Sequence, residues 1–154
     1  MNYNEVHPNI VVGSHPKSKE DIDTLKADGI SAILNLQTDD DFRDLDVDWT
    51  SLDARYWALG IGVRRVPIRD FDDSDLRDKL PQAVEALDEL VKGRQRVYVH
   101  CSGGVNRSPT TIIAYLHWIE GWSLQDAAEH VQSHHACDPV MEAIRGATWD
   151  RRRG

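Results

Sequence analysis

Arg107 stands six positions after Cys101, and a turn with two glycines lies between them: His100-Cys101-Ser102-Gly103-Gly104-Val105-Asn106-Arg107-Ser108. An apolar run, Val97-Tyr98-Val99, leads into this segment, and Pro109 follows it. A glycine-rich turn between a strand and a helix N-terminus presents successive backbone N–H groups to an anion. Ser102, Gly103, Gly104, Val105 and Asn106 would supply those amides. Gly103 and Gly104 let the backbone approach closely and adopt positive φ. The spacing lets the loop curl so that Arg107 offers a planar fork to two phosphate oxygens. The same positive environment favours the thiolate of Cys101. A thiolate at the base of a phosphate-sized cradle is a nucleophile aimed at phosphorus. Ser108 can hydrogen-bond the sulfur and help it leave. His100 is expected to hydrogen-bond the loop and hold its shape, not to act as a base.

The plain alternative is a packing cysteine in a strand-end turn with an arginine nearby by chance. Cys, two glycines, Arg and Ser in this order, with His before and Pro after, argue against it. A Walker-type nucleotide loop is excluded, because no Gly-Lys-Ser/Thr ends the segment.

The elements that must position this loop alternate between strand and helix. Residues 9–13 (Ile10, Val11, Val12) and 30–36 read as strands, as do residues 62–68, where Pro67 suggests an end or edge. Residues 96–100 read as a central strand covered on both faces. Helices are expected over 19–27, with Gly29 just past the end, over 50–59, ended by Gly60, and over 75–92. Three more follow, starting near Ser108-Pro109, at Ser123-x-x-Asp126 and at Asp138-Pro139. Residues 38–48, with six aspartates, read as a solvated loop. The expected fold is α/β, with a mainly parallel central sheet flanked by helices.

The chain has 154 residues, about one domain's worth, with 18 basic and 26 acidic residues and a net charge of −8. General nucleic-acid binding needs a basic face, so this balance makes the chain a poor candidate for it. An anionic substrate must be held by local chemistry against the global field. Two cysteines build no disulfide framework and show no zinc spacing. No apolar run approaches a membrane span, and no leader-like segment opens the chain. A soluble, reducing, cytoplasmic setting is expected, without membrane or nucleic-acid partners. No cofactor or metal is expected. His134-His135 diverge on a helix, and His130 and His134 lack the glutamate of a His-Glu-x-x-His pattern, so these three read as surface residues. Cys137 reads as a packing thiol, and Arg151-Arg152-Arg153 as a frayed terminus.

His-Cys-x5-Arg-Ser is the signature of the cysteine-dependent phosphatases, and Val97 through Pro109 resembles their dual-specificity branch. The resemblance implies a two-step, metal-free mechanism through a phosphocysteine, with an aspartic general acid about 30 residues upstream. Asp70, in Arg69-Asp70-Phe71-Asp72-Asp73-Ser74-Asp75, stands 31 positions before Cys101. It would protonate the leaving oxygen and then activate water. Asp72, Asp73 and Asp75 are rivals by position, and Asp75 could instead cap the next helix.

Further segments are similar to the plant glucan phosphatases. These are the run from Asn9 through Gly13-Ser14-His15-Pro16 to Asp23, then Ala32 to Gln37, Arg69 to Asp72 with Leu80-Pro81-Gln82-Ala83-Val84, and Cys137-x-Pro139 with Ala143 to Asp150. Together they cover nearly the whole chain as one phosphatase domain, with no carbohydrate-binding module expected. The resemblance implies a starch- or glycogen-like phosphoglucan substrate. The chain departs from that pattern at Asn106, where Gly is usual, and at Gly103, where Ala is usual. Asp44-Leu45 stand where paired aromatics grip sugar. The alternatives are a phosphoprotein, a small phosphorylated molecule or lipid as substrate, or a catalytically dead phosphate-binding module. Intact Cys101, Arg107 and Asp70 argue against the last.

Sugar binding asks for aromatic platforms. Phe71, beside Asp70, is the first candidate for substrate contact, with Phe42, Trp49, Tyr56, Trp57 and Trp149 behind it. Tyr56 and Trp57, on an amphipathic helix, are expected to pack. Trp118 and Trp122 are expected to pack against the sheet or neighbouring helices.

Overall fold

The computed structural model describes residues 1–150; the Arg151-Arg152-Arg153 reading lies outside the described residues. Among the described residues there are five strands: β1 (Tyr3–His7), β2 (Ile10–Gly13), β3 (Ala32–Asn35), β4 (Gly62–Arg65) and β5 (Val97–His100). They form one sheet in the order β1-β2-β5-β3-β4. The pairs β2–β5, β5–β3 and β3–β4 are parallel; only β1–β2 is antiparallel.

Alternation along each strand builds two cores. Ile10 and Val12, Ala32 and Leu34, and Val97 and Val99 point to one face; Val11, Ile33 and Tyr98 point to the other. Helices α1 (Lys19–Ala27) and α3 (Trp49–Ala58) cover the second face through Ile22, Leu25, Leu52 and Tyr56. The first face is covered by α4 (Asp73–Lys92), α5 (Arg107–Trp118), α6 (Leu124–His134) and α7 (Met141–Gly146). Burial on both sides is what a parallel strand with an unbroken apolar run requires. Among the described residues no helix is long and apolar enough to cross a membrane.

Three expectations are corrected, and one strand has no counterpart in the sequence reading. The acidic stretch is not all loop: α2 (Asp39–Asp44) forms there, with a capping box between Thr38 and Asp41 and a buried Phe42. Strand β1 gave no sequence signal, because only Val6 of its five residues is buried. The last helix starts at Met141 rather than at Asp138-Pro139. The cap of α4 is Asp72, whose carboxylate accepts from Asp75 N–H at 2.9 Å.

Candidate active site

The carboxyl end of β5 is the natural place for a ligand in a parallel sheet. There His100 pairs in register with Gly13 of β2 and Asn35 of β3, and the chain turns into the loop that opens α5. Gly104 has φ +73°, and a Cβ on it would lie 2.7 Å from the carbonyl carbon of Gly13. Both the left-handed conformation and the close approach therefore require glycine.

The loop's carbonyls are held from behind. Cys101 C=O is bonded by His100 Nδ1 at 3.0 Å, and Ser102 C=O by His15 N–H at 2.9 Å. Gly104 C=O is bonded by His135 Nε2 at 2.8 Å, and Val105 C=O by Asp138 N–H at 2.9 Å. All peptide bonds here are trans. In a trans peptide the next N–H points opposite to the C=O. The amides of Ser102, Gly103, Val105 and Asn106 thus face away from these four clamps. On the other side lies a cavity of about 220 Å³ lined by Asp70, Phe71, Cys101, Gly103, Val105, Asn106 and Arg107. A larger cleft of about 430 Å³ beside Trp118 and Trp149 holds neither a thiol nor an arginine, so size does not select the site.

Cys101 is 2% exposed, and its Sγ lies 3.3 Å from Ser108 Oγ. Arg107 is equally buried. Its Nη1 donates to Asp41 Oδ2 at 2.6 Å and to Ile68 C=O at 2.8 Å. Its Nη2 donates to Ser102 Oγ at 3.2 Å and lies 3.4 Å from Asp70 Oδ2. Its Nε is buried with no partner in the protein. A buried donor without a partner is costly. On a guanidinium lining an anion-sized cavity, that donor is available to an oxyanion, and Nη1 is the anchor.

Asp41 is the residue that sequence reasoning missed here. Burial alone would raise its carboxyl. The hydrogen bonds from Arg107 and Thr38 outweigh that effect and hold it below the usual carboxylate range. One signal was legible: Thr38-x-x-Asp41 is a capping-box spacing. Gln37 was also missed; its Nε2 donates to Ser102 Oγ at 3.1 Å.

Burial pushes His100 down to about 4, so the ring is neutral; its Nδ1–H serves Cys101 C=O. His15 is lowered in the same way by burial and by Lys17. The reading of His135 as a surface residue is corrected: it is 3% exposed. His130 and His134 are turned to the carbonyls of Val6 and His130.

Of the acid-loop aspartates, Asp70 alone lines the cavity. Asp72 caps α4, and Asp75 accepts from Arg69 N–H at 2.7 Å and pairs with Lys79. Phe71 is 88% exposed at the cavity mouth, with φ +56°. Tyr56 is buried as expected, but Trp57 is 87% exposed, against the expectation that it packs. Phe42 and Trp49 stack on each other beneath the Arg65 guanidinium, and Trp118 stacks on Trp149. The departures in the loop fit the backbone. Asn106 has φ −115°, which any residue adopts, and a Cβ on Gly103 would meet only Val105 at an ordinary 3.5 Å.

The dual specificity phosphatase catalytic domain model matches residues 10–143. The chain is 39% identical over 150 residues to the chloroplastic phosphoglucan phosphatase LSF1 of Arabidopsis thaliana, covering 97% of this chain and 25% of that protein. It is 36% identical over 154 residues to the amyloplastic phosphoglucan phosphatase DSP4 of Castanea sativa, covering 97% of this chain and 40% of that one. The chain thus spans between a quarter and two fifths of these relatives' length. Among solved structures, the PTP-2 phosphatase of Cydia pomonella superposes with a TM-score of 0.75 at 19% identity, over 94% of this chain and 89% of that one. The loop, the sheet that carries it and these matches agree: the chain belongs to the dual-specificity phosphatase catalytic-domain family.

Proposed function

We propose that the protein hydrolyses phosphate monoesters through a phosphocysteine, and that its substrate is a phosphorylated glucan of starch or glycogen type. The Cys101 thiolate attacks phosphorus, and the bond from phosphorus to the leaving oxygen breaks. Asp70 gives that oxygen its proton. The inward amides and Arg107 stabilise the charge on the three equatorial oxygens. Water then attacks the phosphocysteine, Asp70 takes its proton, and the S–P bond breaks with Ser108 hydrogen-bonded to the departing sulfur. Cys101, Arg107 and Asp70 around one cavity support this reaction.

The glucan reading is carried by Phe71. Its ring stands in solvent directly beside the acid, where a sugar attached to the phosphate would lie. An exposed aromatic face held in a strained backbone conformation is a ready platform for the apolar face of a sugar. The names of the two plant relatives point the same way. The test measures phosphate release from solubilised amylopectin or glycogen beside a phosphotyrosine peptide. Faster release from glucan is expected, with Phe71→Ala losing glucan activity far more than aryl phosphate activity. Faster release from the peptide would replace the glucan with a phosphoprotein. Equal aryl phosphate rates for wild type and Cys101→Ser would remove the cysteine mechanism itself.

A further inference from the structure

Three of the four clamps behind the phosphate loop come from backbone N–H groups or from the residue next to the nucleophile. The fourth is different. His135 is a side chain at the C-terminal end of α6, 31 residues beyond Gly104. Its Nε2 lies 2.8 Å from Gly104 C=O, and its Nδ1 lies 2.8 Å from Asn4 Oδ1 on β1. The carbonyl only accepts, so Nε2 carries the hydrogen. Nδ1 then accepts, so the Asn4 amide is turned with its NH2 toward the ring, and this bond fixes the ring's rotation.

We infer that His135 is a positioning residue for phosphate binding: it locks the Gly104–Val105 peptide so that the Val105 N–H points into the cradle. The lock is needed because of glycine. Turning this peptide rotates ψ of residue 104, which has no Cβ to oppose it, together with φ of Val105. A flip would replace an inward N–H by an inward carbonyl oxygen, which repels an oxyanion. Asp138 N–H on Val105 C=O holds the next peptide, but among the described residues no other hydrogen bond reaches the Gly104 carbonyl. The imidazole therefore acts through the loop and touches neither substrate nor sulfur.

The experiment compares His135→Leu, His135→Gln and Asn4→Ala in the full chain. The readouts are the competitive inhibition constants of inorganic phosphate and orthovanadate against an aryl phosphate, with thermal melts alongside. Removing one oxyanion donor costs about 100-fold or more when the loss is complete. A peptide free to flip is expected to weaken inhibition roughly tenfold in His135→Leu and to raise KM more than it lowers kcat. Gln places its Nε2 the same three bonds from Cβ, so His135→Gln should recover inhibition to within about twofold. Asn4→Ala, at an exposed position, should show a loss of about threefold. Wild-type inhibition in a folded His135→Leu would overturn the assignment, as would equal losses in the Gln and Leu variants. Should His135→Leu fail to fold, unchanged inhibition in Asn4→Ala would overturn it and weakened inhibition there would support it.

Discussion

Nη1 of Arg107 sits 2.6 Å from Oδ2 of Asp41, so the cation that faces the cavity is anchored from behind by a carboxylate on a six-residue helix. Both groups are largely buried, at 3% and 13% exposure. The anchor fixes one nitrogen and leaves Nε buried without a partner in the protein. The pair also neutralises much of the guanidinium charge. Attraction for phosphate then rests on the inward amides and the N-terminus of α5 as much as on net charge. Asp41→Ala leaves a buried cation without its partner and is expected to cost about 3 kcal/mol of stability. A loosened guanidinium should also lower kcat/KM about 100-fold. Urea unfolding and aryl phosphate kinetics check both; a folded variant with wild-type kcat/KM would refute the anchoring role.

Asp70 stands 3.4 Å from the same guanidinium, and its carboxylate faces the place where a phosphate dianion must enter. Two anions on one cation repel, so the Asp70 carboxyl group opposes the entry of the phosphate as well as serving the leaving oxygen. Asp70→Asn removes the proton donor and the repulsion together. It should slow hydrolysis of sugar phosphates, which are poor leaving groups, by about 100- to 10,000-fold. Orthovanadate should bind at least as tightly as to wild type. An equal rate loss for aryl and sugar phosphates would mean that Asp70 does not serve the leaving group.

How much of this the sequence carried depends on range. The cradle was legible because Cys101, both glycines, Arg107 and Ser108 are neighbours in one loop, and the strand beneath them is an unbroken apolar run. Asp41 was hidden because it is one of six aspartates in a stretch of eleven residues, and only the fold decides which one turns inward. His135 was hidden because its partners, Gly104 and Asn4, are 31 and 131 residues away. Strand β1 was hidden because it lies on the sheet edge with one buried side chain, so its pattern does not alternate.

Phe71 holds φ +56° with its ring in solvent, a conformation that costs a non-glycine residue about 1 kcal/mol or more. Nothing in the core requires the ring. Phe71→Gly should therefore raise stability by roughly 1 kcal/mol while it lowers activity on phosphoglucan. Thermal melts and phosphate release from amylopectin would show this opposition. A loss of stability in Phe71→Gly would mean that the ring packs, and that its exposure is not a functional feature.

His100 is buried and neutral, with its proton affinity lowered from 6.5 to about 4. The unfolded chain binds this proton at higher pH than the folded chain does. Stability from this group is therefore fully present above pH 6.5 and is lost as pH falls toward 4, by about 3 kcal/mol at most. His15, lowered by burial and Lys17, acts in the same direction. His100→Asn keeps a donor for Cys101 C=O and removes the titration. Its melting temperature should lie below that of wild type at pH 7.5 and change less between pH 7 and pH 5. If wild type and His100→Asn lose melting temperature in parallel over that interval, another group carries the acid sensitivity, and the buried neutral imidazole does not set it.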